Sequence, residues 1–133
     1  MSPQEIIFRF YDLVVKGDLA GAEALVHPDF HGEEAASLPY AGTYNGLEGW
    51  RRLLANVGSV FTEFMPSVEY ALTDETGTRV IVMVGLTGRS IKTGERFETS
   101  MLELWELRDG LISLVRPYYW DTHLLRRVSG MEG

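Results

Sequence analysis

The hydrophobic period of this chain changes once, near Phe64, and that change limits the folds open to it. Upstream, apolar residues recur at helical spacing; downstream, they follow strand-like patterns separated by turn residues. Helices followed by a run of strands joined through short turns make an antiparallel meander, with the helices gathered on one face of its sheet. The fold class expected is therefore α+β.

The helical half can be read segment by segment. Ser2-Pro3-Gln4-Glu5 has the capping-box pattern with Pro at the first helical position, which satisfies orphan amides and presets φ. Ile6, Phe10 and Val14 then recur at i, i+4 and i+8, widened by Ile7, Tyr11 and Leu13, and Gly17 ends the helix. Asp18 is placed to cap a second, shorter helix through about residue 26, which His27-Pro28-Asp29 breaks. A short strand is expected over 30–34 and a loop with two tyrosines over 35–44. Asn45-Gly46-Leu47-Glu48 opens a third helix, carried by Leu47, Trp50, Leu54 and Val57 and ending near Gly58.

In the other half, strands are expected over 66–73, 78–88, 95–107 and 111–121. Asp74-Glu75-Thr76-Gly77 and Lys92-Thr93-Gly94-Glu95 supply turn chemistry. Asp109-Gly110 between β-rich runs is a strong hairpin signal, because the tight turn needs positive φ and Gly adopts it without strain. The last strand runs into Tyr118-Tyr119-Trp120-Asp121. Pro117 lies within it and cannot donate to a ladder, so an edge or a bulge is expected there, and a bulge would change which side chains face inward.

Length and charge narrow the function classes. At 133 residues the chain is expected to be one domain, 1–133. A net charge of −7 argues against a nucleic-acid footprint, which would be a basic patch or stripe. There is no cysteine, which removes thiolate chemistry and disulfides. No apolar run approaches the ~20 residues of a membrane span, and the start lacks the features of a signal peptide, so a cytoplasmic location is the expectation. His27, His31 and His123 form no paired metal-ligand spacing, and no phosphate-binding glycine motif occurs, so neither metal nor cofactor is expected.

The order of these segments resembles the NTF2-like superfamily in its SnoaL-like or ketosteroid-isomerase-like branch. The matching pieces are Tyr11 through Asp18-Leu19, His27-Pro28-Asp29-Phe30, Tyr44-Asn45-Gly46-Leu47-Glu48-Gly49, Trp105-Glu106-Leu107-Arg108-Asp109-Gly110 and Tyr118-Tyr119-Trp120-Asp121-Thr122. The resemblance implies a curved, mixed or antiparallel sheet wrapped around three N-terminal helices, an NTF2-like cone or cystatin-like α+β barrel with a deep apolar cavity. It also implies a hydrophobic small-molecule ligand and association as a homodimer through the outer sheet face, on Val80, Val82 and Val84 or their alternates. Such folds host many reactions, so residues must choose among them.

By that resemblance, the carboxylate base of ketosteroid isomerases falls at Glu34, its partner tyrosine at Phe10 and its protonated acid near Leu102. Both donors are missing at those positions, with Tyr11 one residue away; such donors are worth about 3–4 kcal/mol each. The Asp-Arg-Asp set of limonene-epoxide-hydrolase-like members is also absent, because Ile81 and Pro117 stand where acids are needed beside Arg79. SnoaL-like cyclases use an aspartate as acid/base, for which Asp121 and Glu34 are the candidates. Asp121 has a second reading as the N-cap of a short terminal helix, and Glu34 as a solvated neighbour of Glu33.

Tyr11, Tyr40, Tyr44, Trp50, Phe64, Met83, Tyr118 and Trp120 are the candidate substrate-binding residues. The reading is cofactor-free acid/base chemistry, as in a polyketide cyclase, isomerase or dehydratase. The alternative is a non-catalytic ligand-binding or dimerisation module. A buried carboxylate beside a tyrosine would favour the enzyme.

Overall fold

A computed structural model of the chain describes residues 1–131. Its elements are α1 (Pro3–Val15), α2 (Leu19–Glu23), β1 (Val26–Glu34), β2 (Gly42–Asn45), α3 (Gly46–Val60), β3 (Phe61–Thr73), β4 (Arg79–Ser90), β5 (Arg96–Arg108), β6 (Leu111–Tyr119) and α4 (Thr122–Val128). The strands form one six-stranded sheet in the order β2-β1-β6-β5-β4-β3. The β1–β6 pair is parallel and every other pair antiparallel. The architecture is the mixed α+β expected, but β2 and β3 remain edges, so the sheet does not close into a barrel.

The local signals act as their chemistry requires. The Ser2 hydroxyl accepts from the Glu5 amide while the Glu5 carboxylate accepts from the Ser2 amide, completing the capping box. Asp109 and Gly110 both take positive φ, 55° and 73°, forming a two-residue turn that joins Arg108 to Leu111. Positive φ at both central positions matches the natural twist of a hairpin.

Several boundaries differ from the sequence expectation. The second helix stops at Glu23, because β1 begins at Val26 and takes in His27-Pro28-Asp29, where Arg108 holds Asp29 across the sheet at 2.9 Å. The 35–44 loop gives way to β2. Asn45 precedes α3 without capping it, since its Oδ1 bonds His31 instead at 2.8 Å. β3 starts at Phe61, with an irregularity between Thr62 and Met65 where Glu63 takes φ 54°. Pro117 carries no bulge: β6 stays in register with β5 from Leu114 to Tyr119. The β1 ladder has already ended at Val115, so Pro117 leaves no bond unmade on that side.

The core lies between the inner sheet face and the helices. α1 packs on β3 and β4, α3 on β1, β2 and β3, and α2 on α1. Ile7, Phe30, Phe61, Ile112 and Leu125 are almost wholly buried, each contributing about 1.5–3 kcal/mol by leaving water. Val80, Val82, Val84 and Leu86 all face inward along β4, so the valines expected at a surface interface are core residues and their alternates face out.

Candidate functional site

Strand parity places a carboxylate in the middle of this core. Along β5, Phe97, Met101, Glu103, Trp105 and Leu107 point inward. Glu103 stands opposite Val82 on β4 and Pro117 on β6, with Met101 and Trp105 as its same-strand neighbours. Desolvation pushes its pKa up to about 7 despite a hydrogen bond that opposes the shift.

That hydrogen bond comes from the Tyr11 hydroxyl on α1. Burial first, and then the Glu103 charge, raise the Tyr11 pKa and keep it a donor. The Tyr11 ring meets the Trp105 ring edge-on, with centroids 5.8 Å apart. Trp105 Nε1 is buried with no partner at hydrogen-bond geometry, although it lies close enough to the Tyr11 oxygen to favour its ionised form. A tyrosine and an acid thus stand one residue further along each element than Phe10 and Leu102, bonded to each other. Phe10 instead packs against Trp50 and Trp105.

Glu34, at the end of β1, is the second interior carboxyl. Glu33 is the outward member of the pair, bonded to His31 at 2.9 Å and to Arg116 at 3.2 Å. Glu34 Oε1 is shut off from solvent and has no hydrogen-bond partner. Burial, reinforced by the charge of Glu103, holds its pKa well above the usual carboxylate value. Beside it the Tyr40 and Tyr119 hydroxyls bond each other at 2.7 Å. Both tyrosines have raised pKa values, chiefly from burial, with the Glu34 charge adding to each.

The sheet is split next to this group. The β1–β6 ladder ends at Gly32 and Val115; β1 then turns to pair Glu33 and Glu34 with Thr43 and Gly42 of β2. β6 continues to Tyr119 with β5 alone. A cleft of ≈ 370 Å³ opens between the diverging strands, lined by Glu33, Glu34, Arg116, Pro117, Tyr118, Tyr119 and Thr122 among others. Inward Glu34, Pro117 and Tyr119 and outward Glu33, Arg116 and Tyr118 share that lining, so the cleft is a slot through the sheet. A second cleft of ≈ 300 Å³ reaches Glu34 from the β2 side.

Of the residues the sequence singled out, Glu34, Tyr11 and Tyr40 join this interior group. Tyr44 supports it by donating to the Tyr40 carbonyl at 2.7 Å, while Arg52 covers its ring. Trp50 is buried against Phe10, and Phe64 stacks with Phe61 and meets Phe97 at a tilt. Met83 and Tyr118 fall on the outer face because β4 and β6 turn their alternate residues inward; Tyr118 reaches the slot only from outside. Trp120 is 84% exposed, beyond the end of β6. Asp121 Oδ1 accepts from the Leu124 amide at 3.0 Å and caps α4. Glu103 and Trp105 are not among the sequence candidates, and Tyr119 enters there only as a member of the Tyr118-Tyr119-Trp120-Asp121 cluster. Among the described residues, no group of three or more His, Cys, Asp or Glu is arranged to hold a metal. Nor is any described helix long and apolar enough to cross a membrane.

This geometry is that of an NTF2-like fold. The chain matches an NTF2-like protein of unknown function from Burkholderia pseudomallei with a TM-score of 0.87 at 19% identity, over 96% of this chain and 98% of that one. It matches TerC, co-crystallised with polyporic acid, at 0.85 and 21% identity over 96% and 98% of the two chains. A candidate polyketide cyclase from Xanthomonas campestris matches at 0.80 and 17% over 95% and 96%. At these identities the likeness establishes the fold alone. Residues 7–115 match the SnoaL-like domain family, and the chain belongs to that family. No curated protein matches the sequence.

Proposed function

We propose that this protein is a cofactor-free acid/base enzyme acting on a hydrophobic carbonyl compound, with Glu103 and Glu34 as its proton-transfer groups. The observation that carries the reading is the pair of inward carboxyls, the buried Glu103 bonded to Tyr11 and the half-buried Glu34 beside Tyr40 and Tyr119. A base works best with a pKa near the operating pH, and Glu103 meets that condition at about 7. Burial first, and then the Glu103 charge, raise the pKa of Glu34, which favours its neutral form beside an ionised Glu103. Ionised Glu103 takes a proton from carbon next to the carbonyl, and the C–H electron pair becomes the enolate π bond. Neutral Glu34 donates to the oxygen where the charge collects, and in a β,γ-unsaturated ketone, whose enolate extends into a dienolate, return of the proton at the γ-carbon moves the double bond and completes an isomerisation. Attack of the enolate on a second carbonyl would give cyclisation, the reaction named for some fold neighbours.

This assignment moves the base from Glu34, where the family resemblance puts it, to Glu103, and drops Asp121. The test is deuterium exchange at the acidic carbons of 2-tetralone in D2O, followed by NMR. Wild-type protein should accelerate exchange, and Glu103→Gln should lose about 10²–10⁴ of that acceleration, with Glu34→Gln also impaired. Full activity in both folded variants would sink the assignment.

The proposal includes a homodimer through the outer sheet face. Tyr70, Met83, Leu102 and Tyr118 form one row across four strands, beside Leu72, Ile81 and Leu104. Leu72 is 61% exposed and Tyr70 54%, on a face of the kind that monomers seldom leave uncovered.

A further inference from the structure

The polar groups bordering the slot do not balance. Tyr40 and Tyr119 have two hydroxyl protons between them and use one in their mutual bond, so the other has no acceptor among the described residues. Glu34 Oε1 has no partner either. These groups lie close enough that the Glu34 charge acts on both phenols, yet no bond joins the carboxyl to either hydroxyl. Leaving buried polar groups unpaired destabilises the fold unless a ligand or water answers them. Glu34, Pro117 and Tyr119 line the slot, and Glu103 stands opposite Pro117 in the strand register.

We infer that Glu34 and the Tyr40–Tyr119 pair form a ligand-oxygen station at the inner end of the slot, built to hold the carbonyl oxygen of a neutral cyclic or aryl ketone. The carboxylic acid of Glu34 gives one hydrogen bond to that oxygen and the spare phenol proton gives the other. The ligand's rings lie against Pro117 and the apolar wall beyond it. A carbonyl has two lone pairs and no proton, so it answers two donors. Ketones and their enols are therefore the class the station takes, and Tyr119 is the residue that selects them. The inference deepens the acid/base reading, on which it rests for the protonated state of Glu34.

Binding and turnover can be read separately. Dissociation constants for 2-tetralone and for tetralin, the same ring system without the oxygen, are measured by NMR titration against wild type, Tyr119→Phe, Tyr40→Phe and Glu34→Gln. Wild type should prefer the ketone at least tenfold. Tyr119→Phe should erase most of that preference while leaving tetralin affinity within twofold, an outcome that general damage to the fold would not give. Tyr40→Phe should produce a smaller loss, and Tyr119→Phe combined with Glu34→Gln less than the product of the two. Absence of ketone preference in wild type, or its survival in both tyrosine variants, overturns the station. If the preference behaves as expected but no variant changes deuterium exchange, the station stands and the catalytic reading falls.

Discussion

The two faces of the sheet break the usual pattern of apolar inside and polar outside, and they break it in opposite directions. Inside, Glu103 and Glu34 interrupt the apolar surface; outside, Tyr70, Leu72, Ile81, Leu102 and Tyr118 stand exposed where polar residues would serve solubility. An ionisable group in a dry core costs stability and is kept for its proton chemistry. Exposed apolar area costs solubility and is kept for a partner. The same strand, β5, carries both exceptions on alternating residues.

The largest effect that separates the faces should be pH dependence. Folded Glu103 holds its proton up to about pH 7, whereas the unfolded chain releases it at the ordinary value of 4.5. Between those values the folded state binds more protons, so stability falls as pH rises through the window, by on the order of 3 kcal/mol from this group. Glu34, also raised, adds in the same direction. Urea unfolding at pH 5 and pH 8 should show the loss in wild type and a much flatter profile in Glu103→Gln. An unchanged profile would mean that the carboxyl is not dry.

On the opposite face, Leu102→Glu should weaken self-association at least tenfold, seen as a shift to monomer in sedimentation velocity. Leu102 lies beside Met83 and Tyr118 at the middle of the apolar row, where a charge would be desolvated on pairing. The unfolding profile should keep its pH dependence, since the inner face is untouched. A wild-type monomer at micromolar concentration would remove the interface from the comparison.

The smallest effect belongs to neither face. Asp121→Ala removes the cap of α4 and should cost about 1 kcal/mol in urea unfolding. Its rate of 2-tetralone exchange should stay within twofold of wild type, and a large loss would return Asp121 to the chemistry.

These contrasts also explain what could be read from the sequence. The capping box at Ser2–Glu5, the Asp109-Gly110 turn and the change of period depend on neighbours in the chain, and each forms as its chemistry dictates. Glu34 was legible because the family resemblance, by spacing from Gly17-Asp18, puts the base position there. Glu103 was not, because Leu102-Glu103-Leu104 on its own puts the leucines inside. The outer face needs those leucines, so the alternation carries the wrong sign just where the acid is buried. Met83 and Tyr118 were misplaced for the same reason: an apolar side chain on a two-faced sheet does not say which face it serves. Pro117 was ambiguous because its consequence depends on where β1 stops pairing, which no local pattern encodes.

The parallel pairing of β1 with β6 also sets the order in which this molecule can assemble. Strands β3 to β6 can zip together through successive tight turns, each contact close in sequence. β1 must wait, because Val26 pairs with Ile112 and Gly32 with Val115. Contacts so distant along the chain carry a large loop-closure cost and form slowly. During synthesis, Glu34 would leave the ribosome long before Tyr119 exists to stand beside it. The half of the site borne by the meander is in place first, and the N-terminal strand closes it last.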